Sequence, residues 1–149
     1  MIMGTVIGLA RRKKLRGEIE LVESVYIDRK TGLSGDIRGT ALNRQVTLLS
    51  KRSWTEVCRE LKEEIPWTFR RANILIDNFD FIQKSGYKIQ VGEVILKVTR
   101  ETDPCPRMDE QLQGLTNALL PDWRGGVCCN VIEGGDVNLG SEVRILDKI

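Results

Sequence analysis

One thiol in this chain is presented unlike the other three. Cys105 stands between Pro104 and Pro106 and is followed by Arg107, in the stretch ETDPCPRMDE over 101–110. Proline fixes its own φ and so limits where its neighbours point. Pro106 suits the first position of a helix, where its missing N–H would lack a partner anyway. The pattern predicts such a helix over roughly 107–119, with Leu112, Leu115 and Leu119 on one face and Pro121 after it. Cys105 would then be the N-cap, its sulfur turned to free N–H groups and the positive end of the dipole. Those groups and Arg107 favour the thiolate. Such a thiolate can act as a nucleophile, carry sulfur as a persulfide, or bind a soft transition metal. The alternative for any free cysteine is a small buried hydrophobe.

Three other stretches carry groups that seek anions. GLSGDIRGTALNRQ (32–45) holds Gly32, Gly35 and Gly39 with Asp36 and Arg38. FRRANI (69–74) sets Arg70 and Arg71 beside Asn73, and PDWRGGV (121–127) sets Trp123 and Arg124 before two glycines. Glycine lets backbone amides approach an anion, and arginine grips phosphate with a planar fork. None of the three is a P-loop or a dinucleotide fingerprint. The basic run ARRKKLRGE (10–18) reads either as a solvated loop or as a rim that attracts an anionic ligand. It has no interleaved aromatics for base stacking, so it gives little reason to expect nucleic acid.

The chain has no histidine, which excludes a His-based triad and leaves no side chain with an unperturbed pKa near neutrality. Any catalysis must rest on cysteine, carboxylates, Lys/Arg or a bound cofactor. The remaining cysteines, Cys58, Cys128 and Cys129, show no Cys-x-x-Cys spacing, so neither zinc nor a disulfide framework is expected, and haem and NAD are not expected either. Cys58 falls on an apolar helical stripe and reads as core. Cys128 and Cys129 are adjacent in a strand, so one should face inward and one outward. The outward one could serve Cys105 as a resolving partner.

Short β-rich runs must position these groups. They are GTVIGL (4–9), ELVESVYI (20–27), RQVTLLS (44–50), ANILID (72–77), YKIQVG (87–92), VILKVTR (94–100), VCCNVIE (127–133) and SEVRILD (141–147). Gly92-Glu93 reads as a hairpin turn, Gly134-Gly135-Asp136 as a second turn and Gly140 as a third. One helix is strongly signalled. Ser53 with Glu56 reads as a capping box, Trp54, Val57, Cys58, Leu61 and Ile65 form one stripe, and Pro66 ends it. Many short strands with few helices predict a mainly β fold, a closed or nearly closed β-barrel with two or three helical excursions.

The bulk numbers set the frame. A chain of 149 residues with 41% hydrophobic and 30% charged residues is expected to fold as one globular domain spanning 1–149. Its +2 net charge calls for neither nucleic acid nor anionic lipid. No apolar run approaches the roughly 20 residues of a membrane helix, and the basic cluster follows the N-terminal apolar stretch, the wrong order for a secretory signal. A cytoplasmic protein with reduced thiols is the expectation.

Taken in order, these segments resemble the MOSC domain, the module at the C-terminus of molybdenum-cofactor sulfurases that also occurs as small stand-alone proteins. The matching stretches are GLSGDIR (32–38), RQVTLL (44–49), RANI (71–74) and Val91-Gly92, then ET (101–102) with PCPRM (104–108), WRGGV (123–127), Gly134-Gly135 and Gly140. PCPRM followed at this distance by RGGV is the most specific element. The resemblance implies a β-barrel in which Cys105 is the functional thiol. It either ligates molybdenum of a molybdopterin cofactor or carries sulfur as a persulfide received from a cysteine desulfurase. In the first case the relatives reduce N-hydroxylated compounds with an electron-transfer protein; in the second the domain is a sulfur transferase that needs a partner. Arg71 and Asn73 would lie where the pterin phosphate is held, with Arg38, Asp36, Gly35, Arg107 and Arg124 completing the cofactor site. A domain with an inert cysteine, binding another macromolecule through residues 11–16, is the remaining alternative. Two departures stand out: Gly39 occupies the region where stand-alone members often carry histidine, and Ser141 stands where Gly-Asp is common.

Overall fold

Alternating polarity sets the first strand. Along MGTVIGLAR, Val6 and Leu9 turn inward while Thr5 and Ile7 face solvent, and a bulge between Val6 and Gly8 shifts the register so that the end of the strand is covered on both faces. In the computed structural model, which describes residues 3–146, this strand is β1 (Met3–Arg11). It is followed by β2 (Glu20–Leu21), β3 (Ser24–Asp28), β4 (Gly32–Leu33), β5 (Val46–Ser50), α1 (Lys51–Leu61), β6 (Ile74–Asp77), β7 (Lys88–Val91) and β8 (Val94–Glu101). Then come α2 (Met108–Gln111), α3 (Leu115–Leu119), β9 (Val127–Glu133), β10 (Gly135–Asn138) and β11 (Glu142–Ile145). Asp147, the end of the last predicted strand, lies outside the described residues, as do Met1 and Ile2.

The strands run in the order β11-β7-β8-β9-β5-β6-β1, and β1 pairs again with β11, so the sheet closes into a barrel. The expected mainly β, closed barrel with helical excursions is what the chain forms. All barrel pairings are antiparallel except β5 with β6. A parallel pair needs a crossover, and α1 with the 3-10 turn Trp67–Arg70 supplies it. A small sheet, β10-β3-β4, lies beside the barrel.

Two apolar clusters follow from this layout. One fills the barrel, with Leu48, Ile74, Ile89, Leu96 and Val131 among its members. The other lies outside it, where Trp54, Val57, Leu115 and Leu119 pack over Leu49 and Leu75. That second cluster fastens all three helices to one face of the barrel.

The elements depart from expectation at their ends. α1 begins at Lys51 with Ser50 as N-cap, because the Ser50 hydroxyl donates to the Phe79 carbonyl instead of capping and Ser53 falls inside the helix. It ends at Leu61, where Lys62 turns left-handed, before Pro66 is reached. The helix expected over 107–119 is two short ones: Leu112 is extended and Gly114 has φ +91°, a conformation that breaks the run. Gly135 and Asp136, expected in a turn, begin β10 and pair with β3. The Gly92-Glu93 turn joins β7 to β8 as expected.

Candidate functional site

The short α2 changes how Cys105 is held. The helix spans four residues and its N-cap is Arg107, so Cys105 sits one turn ahead of it and no long dipole acts on the sulfur. The backbone is pinned instead. The Cys105 carbonyl accepts from the Met108 N–H at 2.8 Å and from the Thr116 hydroxyl at 3.0 Å. The Thr116 N–H donates in turn to the Asp109 carboxylate at 2.9 Å, a bond that holds this carboxyl below its usual range. Between Pro104 and Pro106, Cys105 is thus fixed in backbone and exposed in side chain.

The sulfur lies at a groove of about 360 Å³. Four chain segments that enter or leave barrel strands line it. The loop that leaves β1 brings Arg12 and Arg16; the loop before β5 brings Arg38 and Arg44; the 3-10 turn before β6 brings Arg70 and, as its C-cap, Arg71. The segment after β8 brings Asp103, Cys105, Arg107 and Glu110. Arginine therefore outnumbers carboxylate seven to two along this lining.

The charges are poorly compensated. Among the described residues the only ion pair on this lining is Arg16 with Glu110, at 4.0 Å and well exposed, hence weak. Among the described residues, Arg12, Arg38 and Arg44 find no side-chain hydrogen-bond partner, and Arg71 finds one, the Gly17 carbonyl at 2.5 Å. The Nε atoms of Arg38, Arg44 and Arg71 are buried without a partner. Burial, then the like charges of Arg71 and Arg38, bring Arg12 down to about 10. Burial also lowers Arg44 and Arg71. Buried donors and charges are expensive unless something pairs with them, so this lining is organised for an anion.

Arg70 is the exception, because it is committed to structure. It is 5% exposed; its Nε donates to the Gly125 carbonyl at 3.1 Å and its Nη2 to the Thr102 carbonyl at 2.9 Å. Burial, then Arg44, lowers it to about 10. The two glycines of RGGV make this possible. A Cβ on Gly125 would come within 2.5 Å of the Thr102 carbonyl and 3.1 Å of Arg70, and Gly126, with φ +91°, passes so close to Leu48 that a Cβ would meet its carbonyl at 2.0 Å.

A family model, the MOSC domain, matches residues 34–144. The chain belongs to the MOSC domain family. Among solved structures this MOSC domain is similar to the YuaD protein from Bacillus subtilis, with a TM-score of 0.84 at 17% identity over 99% of this chain and 98% of that one. It is also similar to YiiM from Escherichia coli, with a TM-score of 0.71 at 16% identity over 97% of this chain and 71% of that one. YiiM from Geobacillus stearothermophilus gives 0.71 at 12% identity over 96% and 74%. At these identities the likeness is one of fold. No protein of curated function matches the chain.

Of the residues singled out in the sequence, the MOSC domain brings Cys105, Arg38, Arg71 and Arg107 to the groove. Asp36 stands behind it: its carboxylate accepts from the Arg12 and Arg38 backbone N–H groups, each at 3.1 Å, and so shapes the loop that carries the cations. Asn73 does not line the groove. It is 6% exposed, with Oδ1 accepting from the Thr47 N–H and hydroxyl and Nδ2 donating to the Ala10 carbonyl. Gly35 packs against the Arg11 side chain, away from the lining. Arg124 donates to Glu60 at 2.8 Å and to the Ala118 carbonyl at 3.0 Å, which fastens α3 to α1. Arg124→Gln is accordingly expected to cost about 1 kcal/mol in urea denaturation, the loss of one carbonyl bond and a half-exposed ion pair.

Cys128 and Cys129 are both fully buried, where one was expected outside. Cys129 points into the barrel, and burial pushes its thiol well above the usual range. Cys128 points the other way but is covered by Thr102, whose hydroxyl lies 3.3 Å from its sulfur. Neither offers an open resolving thiol. Cys58 is half-buried against the outer apolar cluster. Sequence reasoning passed over Arg44 and Arg70 as individual site residues, although both sit beside positions it chose. The basic run reads from sequence as either loop or rim, and its Arg12 and Arg16 reach the groove.

Proposed function

We propose that this MOSC domain holds the molybdenum cofactor in the arginine groove, with the Cys105 thiolate as the protein ligand to molybdenum. One observation carries the reading: an exposed, backbone-fixed thiol opens onto a lining of seven arginines and two carboxylates. A bare persulfide needs no phosphate grip, and a phosphate-bearing pterin does. The donor set fits that group, because the unpartnered buried Nε atoms of Arg38, Arg44 and Arg71 are the kind of donors a phosphate satisfies. Arg12, Arg38 and Arg71 would take the phosphate, and Arg107 and Arg16 would close the rim. When bound, the cofactor supplies two-electron redox chemistry at its metal. For a catalytic domain the reading implies reduction of N-hydroxylated compounds with electrons from a transfer protein.

The exposure of Cys105 supports a second reading, a persulfide carrier loaded by a cysteine desulfurase. Four free cysteines suit a reducing compartment, so the reading includes a cytoplasmic location. No helix among the described residues is long and apolar enough to cross a membrane.

The two readings separate in one experiment. The protein is expressed in cells that make the cofactor, and metal is measured by mass spectrometry for wild type and Cys105→Ser. About one molybdenum per chain in wild type and about none in the variant is the expected result. No metal in wild type, with a desulfurase-dependent adduct of about 32 Da on Cys105, would move the assignment to the carrier. No metal and no adduct would remove both.

A further inference from the structure

The loop that carries Cys105 is gripped at its ends and held once in its middle. At its ends Arg70 reaches the Thr102 carbonyl at 2.9 Å and the Met108 sulfur at 3.9 Å. Between them the backbone bonds are local: the Met108, Asp109 and Glu110 N–H groups donate to the Cys105, Pro106 and Arg107 carbonyls. Such bonds keep the shape of a turn but do not fix where it sits. Among the described residues one hydrogen bond from 103–107 leaves the segment, from the Thr116 hydroxyl to the Cys105 carbonyl at 3.0 Å. Thr116 is not on the groove lining. It belongs to α3, whose Leu115, Ala118 and Leu119 are buried in the outer cluster with Leu49 and Leu75 of the barrel. Its N–H donates to the Asp109 carboxylate at 2.9 Å, which ties α3 to α2 and keeps the hydroxyl at the Cys105 carbonyl.

We propose that Thr116 is a positioning residue for Cys105: through the Cys105 carbonyl, α3 holds the thiol at the arginine groove. The inference rests on Cys105 being the working thiol, as metal ligand or as persulfide, and accounts for its fixed placement. Without the hydroxyl the turn keeps its own bonds and its gripped ends, but its middle swings and the sulfur no longer stays beside the cations. The bond is exposed, so its loss costs little stability; what is lost is placement.

Two alkylating agents of nearly equal shape read that placement in protein expressed without molybdate. Iodoacetate is an anion and iodoacetamide is neutral. Each is attacked at carbon by the same thiolate with loss of iodide, so the ratio of their rates at one cysteine does not depend on how much thiolate is present. Rates are read by peptide mass spectrometry at Cys105 and Cys58, in folded protein and in urea. Beside the arginines, the iodoacetate-to-iodoacetamide ratio at Cys105 is expected to exceed the unfolded value by about tenfold. Thr116→Val keeps the side-chain shape and removes no charge. It should lower that ratio by at least about threefold, melt within about 4 °C of wild type and leave Cys58 unchanged. Thr116→Ser, which keeps the hydroxyl, should retain the wild-type ratio, and Asn117→Ala, the exposed neighbour on α3, should change nothing. A smaller fall in Thr116→Val overturns the proposal, as does a wild-type ratio no higher than the unfolded one or a Thr116→Ser ratio as low as that of the valine variant. If Thr116→Val does not fold, Thr116→Ala decides by the same threshold. An unchanged ratio in Thr116→Val, with molybdenum bound by wild type, overturns the positioning role and leaves the cofactor reading intact. A ratio that falls in Thr116→Val, with no metal in wild type, supports the positioning role and removes the cofactor reading.

Discussion

Asn73→Ala is expected to unfold about 10 °C below wild type, a loss of about 3 kcal/mol read by thermal and urea denaturation. The side chain is the joint between three strands. From the start of β6 it accepts two bonds from Thr47 in β5 and donates one to Ala10 in β1. Alanine leaves the Thr47 N–H and the Ala10 carbonyl without that partner in a buried place, and each orphan costs about 1–3 kcal/mol. The alternative role, a ligand to the pterin phosphate, predicts the opposite balance: little loss of stability and a large loss of ligand. Asn73→Asp sharpens the distinction through pH. A carboxyl can donate to the Ala10 carbonyl only when protonated, and burial raises its folded pKa above the unfolded value. The penalty should therefore grow as pH rises from about 5 to 8, with the variant closer to wild type at the acid end. An Asn73→Ala protein as stable as wild type would show that these three bonds hold nothing together.

That joint explains which parts of the molecule were legible in the sequence. Strand runs with alternating polarity, such as GTVIGL and VILKVTR, carry their own assignment, because period two and β-branched side chains fit a half-buried sheet. The Gly92-Glu93 turn is equally local. Barrel closure is not, since pairing of Gly4 with Val143 joins residues at opposite ends of the chain. The segment after Cys105 departs from its helical spacing for a physical reason. Leu112, Leu115 and Leu119 have helical spacing, but Gly114 and the Asp109–Thr116 bond favour two short helices joined by a bend. The same bend sets the Thr116 hydroxyl on the Cys105 carbonyl, so the thiol is held by turn hydrogen bonds and not by the helix terminus its sequence predicts. The arginines divide along a similar line. Sequence spacing cannot tell Arg70, folded under Gly125, from Arg71, turned to the groove, because the left-handed backbone at Arg71 parts two neighbours that look equivalent. Arg124 looked like a ligand because it precedes two glycines, yet those glycines serve Arg70 and β5.

Arg12→Gln is expected to make the ligand-free protein more stable and to remove most of its response to phosphate. The sign follows from the folded-state pKa of about 10, which lies below the ordinary arginine range. A cation with a depressed folded pKa carries its penalty in full below that value and sheds it only as pH rises through about 10. At pH 7 the charge of Arg12 therefore opposes folding, first through burial and next through Arg71 and Arg38, with Asp36 offsetting part of it. Arg12 is half-exposed, so screening reduces the gain on removing it to about 1 kcal/mol. An anion reverses the balance, because it meets the same charges only in the folded state. Inorganic phosphate at roughly ten times its Kd should stabilise wild type by about 1.4 kcal/mol, or about 4 °C, and sodium chloride at matched ionic strength should do far less. Differential scanning fluorimetry of wild type and Arg12→Gln, each with and without phosphate, reads both effects. A variant that melts lower than wild type without phosphate, or gains as much from phosphate, would mean that the arginines of the groove are not strained against one another in wait for an anion. The protein gives up stability in the empty state for affinity in the filled one.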